Sequence, residues 1–359
     1  VTNTTPTTTK SYTTAGTVNV GLRVTDNNGA TATVTHALTV NGAPTASFTV
    51  SPNPAQTRGT VTFNGSASSV SGGTITKYEW DLDGNGSYET NTNATATTTK
   101  VYDTESTITV GLRVTASNGL TATTTRSLTI QSLYAQAVRT TAGLRAYWRL
   151  AETTGTTAND ETTNNLDGTY ENTPTLGAAG LLAGDSNRAV DLVRSSSERI
   201  TVADNTLLDP TNLTLEAWVR PDSSLSFGQV RTIFAKSNSN ANDFSYSLDY
   251  RRSGFTTNQL VFSVTTTSNT DYTVTQTLNS GTKYHIAATY NGSTMRIYVN
   301  GVQVGSGQSK TGNLRNSAQP LRIGAFWSSD YWDGAIDEAA VYSTALSAAQ
   351  IQSHYTNGA

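Results

Sequence analysis

Short stretches in which apolar and polar residues alternate, broken by Asn-Gly pairs, recur along the chain. Val20-Gly-Leu-Arg-Val-Thr25 is one of them; it leads through Asn28-Gly29 into a second alternating run that ends at Leu38-Thr-Val40. Alternation with period two sends successive side chains to opposite faces of a strand. Asn-Gly tolerates the positive φ values of a tight reversal, so the segment predicts a β-hairpin. Near the other end, Ile297 and Val299 alternate with Arg296, Tyr298 and Asn300, and Asn291-Gly292 and Asn300-Gly301 mark turns. Helical spacing shows in two short places. One is Leu133, Ala137 and Val138 within residues 132–141; the other is Ile351 and Tyr355 behind Ser347, an N-cap with Gln350 at the capping-box position. Between Gly334 and Tyr342 the pattern predicts a closing strand in which Ile336 and Val341 are interrupted by the adjacent acids Asp337 and Glu338. A carboxylate in a half-buried strand requires a partner.

The pattern repeats itself. Thr7-Thr-Thr-Lys10-Ser-Tyr12 matches Thr97-Thr-Thr-Lys100-Val-Tyr102, Val20-Gly-Leu-Arg-Val matches Val110-Gly-Leu-Arg-Val, Asn28-Gly29 matches Asn118-Gly119, and Leu38-Thr-Val40 matches Leu128-Thr-Ile130, always 90 positions apart. Such a period fits a tandem array of small β-domains rather than a solenoid of short repeats.

Between the two copies stand Ala43-Pro44-Thr-Ala-Ser-Phe48, Phe63-Asn-Gly-Ser66-Ala67-Ser68 and Tyr78-Glu-Trp80-Asp81-Leu82-Asp83. On these motifs residues 43–130 resemble the PKD family of immunoglobulin-like sandwiches, and the resemblance makes Trp80 the tryptophan packed between two sheets. Residues 1–41 match only the second half of such a domain. Half a sandwich exposes an unpaired edge and half a core. The expectation is therefore either a longer array of which this chain is part, or self-association in which another chain completes the incomplete N-terminal domain.

The chain beyond residue 141 carries Ala146-Tyr-Trp148-Arg-Leu150, Leu166-Asp-Gly168, Leu213-Thr-Leu-Glu216-Ala-Trp218, Tyr284-His-Ile286, Met295-Arg-Ile-Tyr-Val-Asn-Gly301, Leu321-Arg-Ile-Gly324 and the Ile336-Asp337-Glu338 strand. In that order they resemble the LamG-like, concanavalin A-like jelly rolls of bacterial surface proteins, over residues 142–359. The fold class expected is all-β: tandem immunoglobulin-like (PKD) β-sandwiches plus a LamG-like antiparallel β-sandwich jelly roll. The domains expected are 1–41, the C-terminal half of a PKD-like domain; 42–131, a complete copy; 132–141, a linker; and 142–359, the jelly roll.

Composition narrows the partners. In 359 residues, 23 Lys and Arg stand against 26 Asp and Glu, a net charge of −3, with no basic block of the kind nucleic acid demands. No apolar run reaches membrane-spanning length, so membrane insertion is not expected either. With no cysteine, disulfides and thiolate-bound zinc are excluded.

Calcium is the cofactor expected. It takes six to eight oxygens from carboxylates, amides and main-chain carbonyls, and the loop from Asn159 to Gly168 is rich in them. The resemblance implies that this acidic turn lies beside the Ile-Asp-Glu strand, and that a structural Ca2+ sits between them on Asp160 and Asp337, helped by Asn165 and Asp167. The competing possibility is an Asx turn at Asp160, with Asp337 accepting backbone N–H bonds. Asp81-Leu-Asp83-Gly-Asn85-Gly86 starts like an EF-hand loop but has Thr92 where the bidentate Glu belongs, so a plain hairpin turn is expected there, with a turn that holds an occasional weak cation as the alternative.

An enzyme is not expected. Glycosidases on this kind of sandwich use paired carboxylates, whereas Glu216 is alone on its strand and Asp337 and Glu338, as neighbours, should point to opposite faces. His36, His285 and His354 are scattered. Recognition of sugar needs an aromatic face and short polar side chains. The loop Phe326-Trp327-Ser-Ser-Asp330-Tyr331-Trp332 offers them, with Trp327, Asp330, Tyr331 and, on another strand, Tyr250 as candidate ligand-binding residues; Tyr246, Arg251, Arg252 and residues 238–243 could form a rim. As the resemblance implies, the chain is a non-catalytic extracellular adhesion or binding module of the cell or virion surface. In it PKD spacers present a jelly roll to a glycan or protein surface. The alternatives are a structural subunit of a phage virion appendage or cell-surface fibre, and the accessory domains of a secreted hydrolase.

Overall fold

The structure is a computed structural model that describes residues 7–238, 243–253 and 257–359. The chain forms two compact units, residues 1–131 and 132–359. Their strands are antiparallel but for one short parallel pairing, and their sheets are those of the expected all-β sandwiches.

The first unit holds β1 (Gly16–Thr25), β2 (Thr31–Val40), β3 (Thr49–Ser51), β4 (Ala55–Gln56), β5 (Thr60–Asn64), β6 (Ile75–Asp81), β7 (Thr90–Asn93), β8 (Thr97–Val101), β9 (Ser106–Ala116) and β10 (Thr121–Gln131). Strands β3, β5 and β8 make one sheet and β4, β10, β9, β6 and β7 the other. Alternation turns Phe48, Val61, Phe63, Trp80, Val110, Leu112, Val114 and Leu128 into the space between, where all are fully buried. Each such side chain contributes roughly 1.5–3 kcal/mol by leaving water. Trp80 meets Phe48 edge to face at 5.6 Å between ring centres, the central position expected of it. The hairpin β1–β2 forms a separate two-stranded sheet.

The second unit opens with α1 (Leu133–Thr140) and continues through β11 (Leu144–Trp148), β12 (Thr157–Ala158), β13 (Gly168–Glu171), β14 (Thr175–Ala179), β15 (Arg188–Leu192), β16 (Arg199–Val202) and β17 (Leu213–Pro221). There follow β18 (Val230–Ser237), β19 (Phe244–Ser253), β20 (Thr257–Thr265), β21 (Asn269–Thr275), β22 (Tyr284–Tyr290), β23 (Thr294–Val299), β24 (Val302–Ser309), β25 (Leu321–Ile323), β26 (Gly334–Tyr342) and α2 (Ala348–Gly358). One sheet runs β14-β15-β26-β17-β22-β23-β24, with β11 also on β26; the other runs β12-β13-β16-β25-β18-β19-β20-β21. The main core lies between them, built on Trp148, Leu215, Phe234, Leu248, Phe262, Ile286 and Trp332.

A second, smaller core lies on the far side of the first sheet, where α1 and α2 cover Trp218, Ala287, Tyr298 and Tyr342. Both helices are capped from the sequence: the Ser132 hydroxyl accepts the Ala135 N–H, and Ser347 and Gln350 form a reciprocal capping box. Residues 132–141, expected to be a linker with helical spacing, form the helix α1. Tyr134, Ala135 and Val138 are buried against the sheet, and the helix is an integral layer of the second unit.

Candidate functional site

On β19, the even positions Tyr246, Leu248 and Tyr250 enter the core, so the odd positions Ser247, Asp249 and Arg251 face outward. The neighbouring strands in register add Ser263 from β20 and Asp271 from β21 to the same face. With Asn238, Asn269, Phe244 and Phe326 they line a hollow of about 310 Å³. Asp249 is its deepest acid. The hydroxyls of Thr232 and Ser247 each donate to it at 2.6 Å, and burial pushes its carboxyl up to about 6. Asp271 accepts from the Ser263 hydroxyl at 2.8 Å and from the Asn269 amide at 3.1 Å, with the Arg251 guanidinium 3.8 Å away. Phe244 and Phe326 lie with ring centres 6.1 Å apart and form the apolar edge. Acceptors, amides, one cation and two rings in one concavity are the groups that hold a molecule rich in hydroxyls and C–H faces.

The candidate ligand residues fare unequally. Trp327, at a left-handed φ of 48°, is exposed beside Phe326, with the Arg322 guanidinium 5.0 Å from its ring centre. Asp330 is half-buried, which raises its carboxyl, and its backbone carbonyl accepts the Thr232 N–H at 2.8 Å next to the hollow. Tyr331 is held elsewhere: its hydroxyl accepts from Arg199 at 3.0 Å. Tyr250 is a correction. Its ring is in the core and its hydroxyl exchanges hydrogen bonds with the Leu278 main chain, because position 250 has the inward parity of its strand. Tyr246 is inward for the same reason. Of the expected rim 238–243, residues 239–242 lie outside the described residues. The signal missed in the sequence was the outward set Ser247, Asp249 and Arg251, polar at every second position.

The four residues expected to hold calcium are not assembled into one shell. Asp160 has its two oxygens engaged by the N–H groups of Tyr147 (2.9 Å), Thr162 (3.0 Å) and Leu166 (2.9 Å) and the Thr162 hydroxyl (2.8 Å). Asp167 caps the Asp160 N–H at 2.8 Å, and Asn165 sits exposed at a φ of 51°. Asp337 turns to another loop, accepting from Leu181 N–H at 2.7 Å and from the Asn187 amide at 3.3 Å. A cation shared by residues 160 and 337 would have to displace these donors, so this donor set does not fit calcium as it stands. Among the described residues, the group of three acids within 4.8 Å of one another is Asp81, Asp83 and Glu89. There Asp81 accepts the Gly84 and Gly86 N–H groups, which makes the loop the turn expected of it.

Two histidines treated as scattered converge. Glu216, fully buried on β17, meets His285 Nε2 at 2.7 Å and His354 Nδ1 at 3.0 Å, and accepts from Tyr134 at 3.3 Å. The His354 Nε2 lies 2.9 Å from the Thr141 hydroxyl. Glu216, Tyr134 and both histidines are 3% exposed or less, so the cluster is a clamp between the sheet and both helices rather than a place for substrate.

Comparison with known proteins bears on most of the chain beyond residue 40. Residues 41–131 match the family profile of the PKD domain, and residues 194–352 that of the concanavalin A-like lectin/glucanases superfamily. Among solved structures, domain 4 of AbnA, a GH43 extracellular arabinanase from Geobacillus stearothermophilus, in complex with arabinotriose, is 19% identical, with a TM-score of 0.46 over 59% of this chain and 98% of that one. The binding domain of Paraclostridial Mosquitocidal Protein 1 is 14% identical, with a TM-score of 0.47 over 59% of this chain and 52% of its own. The binding domain of botulinum neurotoxin DC in complex with SialylT is 15% identical, with a TM-score of 0.45, over 60% of this chain and 51% of its own. The chain thus spans about half the length of those two toxin domains. A search of the curated proteins finds no match. No helix among the described residues is long and apolar enough to cross a membrane. The chain carries a PKD domain followed by a domain of the concanavalin A-like lectin/glucanases superfamily.

Proposed function

We propose that this chain is an extracellular binding module that takes a neutral oligosaccharide into the hollow on β19–β21, with the PKD unit as its spacer. The observation that carries the proposal is the outward face Ser247, Asp249, Arg251, Ser263 and Asp271, bounded by Phe244 and Phe326. Two carboxylates beside one guanidinium favour hydroxyl donors over an anionic sugar. The phenylalanine rings supply the apolar side that a pyranose or furanose C–H face requires.

The test is a neutral-glycan array followed by calorimetry on the full chain. Asp271→Ala and Phe326→Ala should each weaken binding about tenfold or more, as loss of a central contact does. Binding should also strengthen as pH rises through about 6, where Asp249 becomes a charged acceptor. An array without neutral-glycan signal, or affinity indifferent to both substitutions, would falsify the proposal.

A further inference from the structure

Phe326 and Ser329 exchange both of their backbone hydrogen bonds, at 3.1 and 2.8 Å, and so close a two-residue turn on Trp327 and Ser328. Trp327 takes a φ of 48°, a left-handed value that Ser328 does not share. A turn with a positive φ at its first central position alone takes glycine there, because a side chain in that conformation crowds the carbonyl that follows. Here the position holds the bulkiest side chain there is. Burial does not offset the strain. Of the five tryptophans, Trp80, Trp148, Trp218 and Trp332 are at most 3% exposed, whereas Trp327 is 37% exposed. Strain held in an exposed bulky residue points to a use outside the fold itself.

Its place on the sheet says which use. Backbone pairing carries one transverse row along the outward face. Arg322 on β25 lies opposite Ala235 on β18, Ala235 opposite Ser247 on β19, Ser247 opposite Ser263 on β20, and Ser263 opposite Asp271 on β21. Residues directly opposite one another share a face. Arg322 therefore stands in line with the floor of the hollow, two strand spacings or about 10 Å from Ser247. Its guanidinium donates to the Ser237 carbonyl at 2.9 Å and lies 5.0 Å from the centre of the Trp327 ring. A fixed cation against one side of the indole orients it and leaves the exposed remainder free for contact. Phe326, the residue before, lines the hollow while Trp327 does not, so the indole stands outside, on the Arg322 side of the Phe326 edge.

We propose that Trp327 is a second platform for the ligand of the hollow, so that the module takes a linear neutral oligosaccharide rather than a single sugar. One unit enters the hollow, and a following unit lays its C–H face on the indole. Because Arg322 already holds the ring, little ordering is lost when that unit stacks. The inference rests on the glycan reading of the hollow and adds to it the length of the ligand.

In the experiment, the neutral glycan that the array selects is titrated into the full chain as its mono-, di-, tri- and tetrasaccharide. Calorimetry reads affinity, and acrylamide quenching of tryptophan fluorescence reads Trp327, because the other four indoles are buried. Affinity should rise about tenfold at the length that reaches the ring, as one aromatic stack does. The same length should shield the fluorescence from the quencher. Trp327→Gly suits the turn, since glycine adopts this φ without strain, and should remove the step so that all lengths bind alike. A step that survives Trp327→Gly overturns the proposal, and a fall in melting temperature beside it assigns the indole to covering Arg322. Binding that Asp271→Ala abolishes, yet that is equal at every length in the parent, overturns it too and leaves the hollow standing as a site. An array empty of neutral glycans removes the platform and the hollow together.

Discussion

Glu216 is a single acid in an apolar strand, and its two histidine partners lie 69 and 138 residues away in sequence. Burial alone would raise its carboxyl; the charge and hydrogen bonds of His354 and His285 overcome that and hold it well below the usual carboxylate range. For His354 burial acts downward, but the Glu216 charge prevails and raises it. A depressed acid contributes stability that is present above its ordinary value near 4.3 and lost only in strong acid. A raised histidine contributes stability that is complete below about 6.5 and disappears as pH climbs through its raised value. His354→Gln should therefore cost about 3 kcal/mol in urea unfolding at pH 5.5, as breaking a buried pair does, and clearly less at pH 9. An equal loss at both values would show that packing, not charge, holds α2 down. Parity along a strand was readable at this scale, and it should have excluded Tyr250 from the ligand residues; partners brought together by folding were not readable.

The closing strand β26 shows where periodicity stops being a guide. Asp337 and Glu338, as neighbours, should face opposite ways, yet the Asn187 amide donates to both, at 3.3 and 2.9 Å. The cause is a bulge: register against β17 slips between Glu216 and Trp218, and Glu338 takes a φ of 53°. Glu338 then receives the Tyr147 hydroxyl and the Arg149 guanidinium, which also reaches Asp185. Burial first, and then Glu338 beside it, raise Asp337; burial likewise raises Glu338, with Arg149 opposing. Acids raised by folding are protonated in the native state, so their contribution to stability falls as pH rises above the ordinary carboxylate range. Asp337→Asn keeps an oxygen for the Leu181 N–H and removes the second charge. Its melting temperature should drop less than the parent's between pH 6 and pH 9, and parallel curves would rule out the raised Asp337 carboxyl as the source of the pH dependence. Gly334, at the start of the strand, is fixed by space as well: a Cβ there would run into the Arg220 carbonyl and the Asp222 N–H.

The two units have separate cores, one around Trp80 and one around Trp148, Phe234 and Trp332. Cooperative unfolding follows the core, so calorimetry should resolve two transitions. Trp80→Ala, which opens a large void, should lower one of them by an amount equivalent to about 3–5 kcal/mol and leave the other in place. One merged transition that shifts as a whole would mean that the units do not unfold independently. Much of this architecture was legible beforehand, because the 90-residue repeat, the Trp80 motif and the ordered jelly-roll motifs each restate a local pattern several times over. Residues 132–141 were legible as a helix but not as a covering layer, since a short amphipathic stretch does not say which sheet will bury it.

The sequence by itself determined strand identity, hairpin turns, helix caps and the inward parity of the regular strands, though not of the bulged β26, because these depend on neighbours one to four residues apart. Only the tertiary structure decided which outward faces stay open. It turned Asp160 and Asp337 toward different loops, drew His285 and His354 onto Glu216, and grouped Asp249 with Asp271. Those outcomes depend on contacts made after distant strands pair, and identical local patterns permit either result.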